Sequence, residues 1–143
     1  MKYMLIMRNT AESLEAAQGL DFEQVINAMG AFNESMINAG VLKGGDGLTD
    51  AADGQVVEFT DGAPIVTDGP YGEVHELFNG YWVIEAGSKQ EALEWALRAP
   101  LTPGQKLEVR RITDASDFAE FAENEFVKKE EGWRADQDGS PAL

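Results

Sequence analysis

The stretch that decides the fold is residues 80–100, which read GYWVIEAGSKQEALEWALRAP. Residues 80–85 are strongly apolar, as is typical of a central strand that is buried on both faces. From Ser88 the sequence S-K-Q-E has the form of a capping box, and apolar residues then recur with helical spacing. Pro100 ends this helix soon after its last apolar turn. The stretch therefore predicts a buried strand followed directly by an amphipathic helix.

A similar pair of elements opens the chain. Residues 3–7 form a short apolar run of strand length. A helix is predicted over residues 21–39, because the Asp21 side chain can accept from free N–H groups of the first turn and apolar residues follow at helical spacing. Gly40 stands where a left-handed helix cap is expected. The first half of the chain thus repeats the strand–helix order of the second.

Shorter elements complete the pattern. Residues 41–48 predict a short strand that passes into a loop, and the glycines within it are interpreted as a tight bend. Residues 55–59 and 64–67 predict a hairpin around an Asp-Gly turn. Residues 106–112 alternate in character, which indicates a half-exposed final strand.

The order β-α-β, hairpin, β-α-β predicts an α+β protein of the split βαβ, ferredoxin-like type. Its antiparallel sheet would carry both helices on one face, with the hairpin as an insert. The other face would stay partly apolar, so we expect a second copy to cover it, as in a dimeric α/β barrel. An extra helix is predicted over residues 114–130. Residues 1–131 would form one domain, and residues 132–143 a flexible tail.

Composition excludes several classes of function. The 143 residues include 26 Asp and Glu but 11 Lys and Arg, for a net charge of −15, so nucleic acid and anionic membranes are poor partners. The chain has no Cys and one His, which excludes thiol catalysis and metal sites with several His ligands. We expect no metal and no cofactor. No apolar run approaches the ~20 residues of a membrane span, and we expect a cytoplasmic protein.

The residues with the most chemical potential lie in Thr67-Asp68-Gly69-Pro70-Tyr71-Gly72-Glu73-Val74-His75. If Asp68 or Glu73 accepts a hydrogen bond from His75, the imidazole becomes an acid/base group that works near neutral pH. The alternative is structural: Asp-Gly-Pro is a turn former, Asp68 can cap backbone N–H groups, and His75 can be a solvated surface residue.

Arginines on the first and last strands are candidate anchors for a carboxylate or phenolate ligand. Arg8 closes the first strand and Arg110 lies in the last, and both can line the open face of a ferredoxin-like sheet. The alternative is an ion pair with a nearby Asp or Glu. Tyr81 and Trp82 must point to opposite faces, so one faces the helices and the other the open side.

The chain resembles the YCII-related proteins of the DGPF-domain type as far as Ile112. The matching stretches are Lys2-Tyr3-Met4, Ala28-Met29-Gly30-Ala31-Phe32-Asn33-Glu34, Ala39-Gly40-Val41-Leu42, Gly45-Asp46-Gly47-Leu48, Asp68-Gly69-Pro70-Tyr71-Gly72-Glu73, Gly80-Tyr81-Trp82, Glu91-Ala92-Leu93-Glu94-Trp95 and Glu108-Val109-Arg110. The resemblance implies a ferredoxin-like fold, usually dimeric, with a cleft near the Asp-Gly-Pro turn.

The resemblance also bears on activity. Most relatives are uncharacterised bacterial proteins, and a distant branch includes a dehydrochlorinase with a proposed His–Asp acid/base pair. This chain departs from that branch, since its first predicted helix has no His and Ala99 stands before Pro100 where that branch would have Asp. The pair therefore cannot be transferred to this sequence.

Three hypotheses follow. The first is a dimeric small-molecule binding or regulatory module, with a small organic anion as its ligand. The second is an acid/base lyase or isomerase on a cyclic or phenolic anion. The third is a dimerising protein without pocket chemistry. The candidate catalytic residues are Asp68 and His75, and the candidate ligand-binding residues are Arg8, Tyr71, Glu73, Trp82 and Arg110.

Overall fold

A computed structural model describes residues 1–70 and 75–138 of the chain. Its strands are β1 (Lys2–Thr10), β2 (Leu42–Gly47), β3 (Gln55–Glu58), β4 (Ile65–Asp68), β5 (Glu76–Glu85) and β6 (Lys106–Arg111). Its α-helices are α1 (Ala11–Ala17), α2 (Phe22–Asn38), α3 (Lys89–Ala96) and α4 (Glu125–Asp138), and short 3₁₀ helices occupy Ala51–Asp53 and Ala115–Phe121.

The main sheet has the strand order β2-β5-β1-β6, and each neighbouring pair is antiparallel. β1 lies at the centre, where Leu5 is paired with Trp82 on one side and Val109 on the other. This order confirms the ferredoxin-like α+β fold predicted from the sequence. Strands β3 and β4 pair only with each other, so the predicted hairpin insert forms a separate two-stranded sheet.

The predicted helix starts are confirmed by their caps. The Asp21 carboxylate accepts from the Glu23 backbone N–H at 3.0 Å, and the Ser88 hydroxyl accepts from the Glu91 backbone N–H at 3.1 Å. Gly40 follows α2 with a φ of 71°, a left-handed conformation that glycine adopts without steric cost. Local hydrogen bonding therefore fixes where both main helices begin.

The core lies between one face of the sheet and the helices, and this side of the sheet is called the helix face below. Leu5, Met36 and Ile84 are fully buried there, and Phe32 packs edge-on against Trp82 with ring centroids 5.4 Å apart. The opposite side, called the open face, carries the alternate residues of the same strands. Met4, Ile6 and Val83 on this face are only half-buried, whereas Leu5 and Ile84 on the helix face are fully buried.

Three elements differ from expectation. Helix α1 was not predicted, and a capping box between Thr10 and Ser13 starts it. β5 begins at Glu76, four residues earlier than predicted, because its first part pairs with the end of β1 beyond an irregularity at Met7/Arg8.

The predicted C-terminal helix is also different. The chain is 3₁₀ over Ala115–Phe121 and helical again over Glu125–Asp138, so α4 extends into residues expected to be a flexible tail. A capping box of Asp114 with Asp117 starts the first piece. Arg134 holds the second piece, because its Nη1 donates to the Thr113 carbonyl at 3.0 Å.

Candidate functional site

A small cleft of about 220 Å³ opens between the middle of α2 and the strands β2 and β5. Its lining is Met7, Met29, Asn33, Gly45, Asp46, Gly47, Tyr81 and Trp82. The cleft lies below the ~300–1,000 Å³ typical of drug-sized ligand sites, so it suits a small molecule.

Two glycines of β2, Gly45 and Gly47, line this space. Gly45 pairs with Trp82 and Gly47 with Gly80, so both lie on the helix face and add no side chain to the gap under α2. A Cβ at Gly45 would meet the Tyr81 carbonyl at 2.7 Å, and one at Gly80 would meet the Asp46 carbonyl at 2.9 Å. Gly47 has nothing within 4 Å of such a Cβ, so its face is open to the cleft.

A hydrogen bond between Trp82 and Asn33 sets the polar chemistry of the cleft. The Trp82 indole Nε1 donates to Asn33 Oδ1 at 2.8 Å. An indole N–H is only a donor, so the amide oxygen must face it and the Nδ2 group keeps both of its N–H donors for other partners. No acceptor for Nδ2 occurs among residues 1–70 and 75–138. Asn33 can therefore donate to a carbonyl or carboxylate oxygen of a small ligand.

Tyr81 lies at the rim of the same cleft. Its hydroxyl donates to Asp46 Oδ2 at 3.2 Å, and this hydrogen bond to a carboxylate raises the pKa of Tyr81 above its usual range. Its ring stacks on Phe78 on the open face, with centroids 6.3 Å apart. The expectation that Tyr81 and Trp82 point to opposite faces is confirmed, with Trp82 towards the helices.

The arginines expected to anchor an anion lie on the open face, away from the cleft. Arg8 Nη1 donates to Glu76 at 3.1 Å, and Arg8 also forms an ion pair with Glu108, which in turn pairs with Arg110. Hydrogen bonds from Lys106 and then Arg8 lower the pKa of Glu76 below its usual range. Both arginines therefore form ion pairs with nearby carboxylates, which is the alternative that the sequence left open for them.

Asp68 and His75 lie neither in the lining of the cleft nor among the ion pairs of Arg8 and Arg110. Asp68 ends β4, and its Oδ1 accepts from Gln55 Nε2 at 2.7 Å, so the partner that it has among the described residues is a side-chain amide. Gly69 has a φ of 75°, in keeping with the turn predicted there. His75 is exposed immediately before β5, and no hydrogen bond links it to Asp68 in the described part of the chain.

Two of the expected site residues, Tyr71 and Glu73, lie outside the described residues. Of the others, Trp82 lines the cleft, whereas Arg8, Arg110, Asp68 and His75 do not. The structure therefore brings Arg8 and Arg110 together around Glu108 but separates them from Trp82 by the thickness of the sheet.

Asn33, Gly45 and Gly47 were not identified from the sequence as components of a site. The sequence Gly45-Asp46-Gly47 did contain a signal for the cleft, because two glycines separated by one residue on a strand lie on the same face. That run was interpreted as a bend, and all of it lies in β2.

Across residues 1–70 and 75–138, no three His, Asp or Glu side chains converge as they would around a metal ion. None of the helices in that same part of the chain is both long and apolar enough to span a membrane.

The strand order, the helices on one face and the small glycine-lined cleft define a ferredoxin-like α+β protein with room for a small ligand. The model of the YCII-related domain matches residues 1–116, and the chain therefore belongs to the YCII-related family. No curated protein matches the chain.

Proposed function

We propose that the chain is a dimeric small-molecule binding or regulatory module whose ligand occupies the cleft. The observation that carries this proposal is Asn33 Nδ2, whose two N–H donors have no acceptor in the described residues although the amide oxygen is fixed by Trp82. The apolar surfaces of Met7, Met29 and Trp82 would hold the body of the ligand.

The ligand that fits this arrangement is a small organic molecule with an acceptor oxygen. A carboxylate is such an acceptor, so the small organic anion expected from the sequence belongs to this class, although Asn33 would contact it rather than Arg8 or Arg110. Asp68 and His75 do not line the cleft, and for that reason we favour binding over acid/base catalysis. The sequence Asp68-Gly69-Pro70-Tyr71 supports the DGPF type within the family.

Binding in the cleft is tested by filling it. Gly47→Val places a side chain where nothing lies within 4 Å, and Gly44→Val is the matched control on the same strand, where the side chain has equal space. Gly44 pairs with Val83, so its side chain would point to the open face. A thermal-shift screen of small carboxylates, ketones and phenols should give hits that bind the wild type and Gly44→Val but not Gly47→Val. Hits that bind all three proteins equally would contradict the proposal.

Self-association through the open face is the second part of the proposal. Two copies with a net charge of −15 repel each other, so they should meet where that charge is locally balanced. Strand register and ion pairs assign five of the 11 cationic side chains but four of the 26 acidic ones to the open face. These are Lys2, Arg8, Lys43, Lys106 and Arg110, and Asp46, Glu76, Glu85 and Glu108.

Apolar side chains lie between these charges. Met4, Ile6 and Val83 are half-buried on the open face, and Phe78 and Tyr81 adjoin them. Apolar surface framed by balanced charges is suited to contact with an identical face.

Sedimentation at micromolar concentration tests the dimer. We expect the wild type to sediment as a dimer and Ile6→Glu as a folded monomer, because Ile6 lies at the middle of the open face between Tyr81 and Glu108. Ile37→Glu, on the exposed side of α2, is the matched control and should remain dimeric. A monomeric wild type, or dissociation in Ile37→Glu as well, would refute this interface. The cytoplasmic location expected from the sequence stays a prediction.

A further inference from the structure

A second and larger cavity, of about 400 Å³, lies at the other end of the sheet. It is formed by the start of β1, the end of β5, the segment that follows β6, and one side of α4. Its size is within the range of small-molecule sites. Its lining is Met1, Lys2, Glu85, Ile112, Thr113, Asp114, Ala115, Phe118, Val127, Glu130, Glu131 and Arg134.

Helix α4 supplies one complete wall of this cavity. Val127, Glu130, Glu131 and Arg134 have the spacing i, i+3, i+4 and i+7, which places them on one face of a helix. Arg134 fixes that face in position: Nη1 donates to the Thr113 carbonyl at 3.0 Å and Nε donates to Glu130 at 3.1 Å. The family match ends at residue 116, so this wall lies outside the matched domain.

The interior of the cavity is apolar and its rim is charged. Met1, Ile112, Phe118 and Val127 provide the apolar surface. The rim carries four carboxylates, and its cations are Lys2, Arg134 and the amino group of Met1, which acts electrostatically on Glu85.

Most of the carboxylates on this rim are already paired. Glu85 pairs with Lys43, Glu130 pairs with Arg134, and Asp114 accepts from Ser116 and contacts Arg111. Glu131 has no ion pair or hydrogen bond within the part of the chain that the structure describes. The cavity therefore presents an apolar body site next to one carboxylate, Glu131, that makes no direct ion pair or hydrogen bond with the described residues.

We propose that this cavity binds an organic cation with an apolar body, such as an aromatic amine, with its ammonium group at Glu131. This site is separate from the cleft under α2, because no residue lines both.

The experiment compares two probes with the same ring system and opposite charge, tryptamine and indole-3-propionate. Calorimetric titration of the full chain should show binding of tryptamine and much weaker binding of indole-3-propionate. Glu131→Gln should weaken tryptamine binding about two- to fivefold, the effect of one exposed ion pair. Glu34→Gln removes the same charge from an exposed position on α2 and should leave binding unchanged.

A cavity-filling variant adds a stronger test. Val127→Trp should abolish tryptamine binding, with helix content measured by circular dichroism to establish that the variant is folded. Gly47→Val should leave tryptamine binding intact, which separates this site from the cleft. Equal binding of the two probes, equal losses in Glu131→Gln and Glu34→Gln, or undiminished binding in folded Val127→Trp would each overturn the proposal.

Discussion

Substitution by alanine should change the stability of the protein in opposite directions at Gly44 and Gly45, two neighbouring glycines of β2. A Cβ at Gly45 would lie 2.7 Å from the Tyr81 carbonyl oxygen and 3.0 Å from the Trp82 ring, and the first contact is with backbone. Relief requires β2 and β5 to move apart, so we expect Gly45→Ala to destabilise the protein by about 1–3 kcal/mol, as overpacked sites do.

Gly44 offers the matched comparison one residue away. A Cβ there meets nothing within 4 Å, and Gly44 is not among the glycines with positive φ. Gly44→Ala should therefore stabilise the protein by about 0.4–1 kcal/mol, because alanine lowers the conformational entropy of the unfolded chain. The two variants should differ by at least about 1.4 kcal/mol, which corresponds to about 4–7 °C in Tm for a chain of this size.

Urea unfolding followed by far-UV circular dichroism measures this difference, with all proteins at one concentration so that self-association contributes equally. The midpoint should fall for Gly45→Ala and rise slightly for Gly44→Ala, with similar slopes. Equal midpoints for the two variants, or a more stable Gly45→Ala, would refute the assignment of these glycines to opposite faces of β2.

Three further outcomes follow from the structure. Met36→Ala should lower the free energy of unfolding by about 2–5 kcal/mol, because the Met36 side chain is fully buried. Ile37→Ala should have a much smaller effect, because Ile37 is 61% exposed. Chemical denaturation measures both variants, and equal losses would contradict the placement of the core. Ser88→Ala should cost about 0.5–2 kcal/mol through loss of the N-cap of α3, and an unchanged melting curve would show that this cap contributes nothing. Hydrogen bonds from Arg111 lower the pKa of Asp117 from 3.8 to about 2. This ion pair therefore stabilises the fold above pH 3.8, and its contribution is lost as the pH falls towards 2. NMR titration of the Asp117 carboxyl carbon should show this pKa rising in Arg111→Gln, and a wild-type pKa near 3.8 would contradict the pairing.

The fold could be predicted from the sequence because its signals are local. Asp21 and Ser88 cap their helices through neighbouring backbone N–H groups, and the apolar run at residues 80–85 identifies the buried part of β5. The C-terminal segment was harder to predict, because its contacts include a hydrogen bond between Arg134 and Thr113 that spans 21 residues and that no local pattern specifies.

The candidate site could be predicted only in part. Trp82 was identified from its place in the apolar strand, and it lines the cleft. Asn33 and Gly47 were missed because their roles depend on how α2 and β2 lie relative to β5, which no local pattern specifies. The acid/base role of Asp68 and His75 stays a prediction, and the described residues provide no hydrogen bond between them.

The central position of β1 has a consequence for how the protein is made. This strand is synthesised before the other strands of the sheet, yet both of its neighbours, β5 and β6, belong to the second half of the sequence. Its backbone groups and the apolar side chain of Leu5 must therefore stay without native partners during most of translation. We expect folding to be late and cooperative, and the nascent segment that contains β1 to be a target for chaperones that recognise exposed apolar strands.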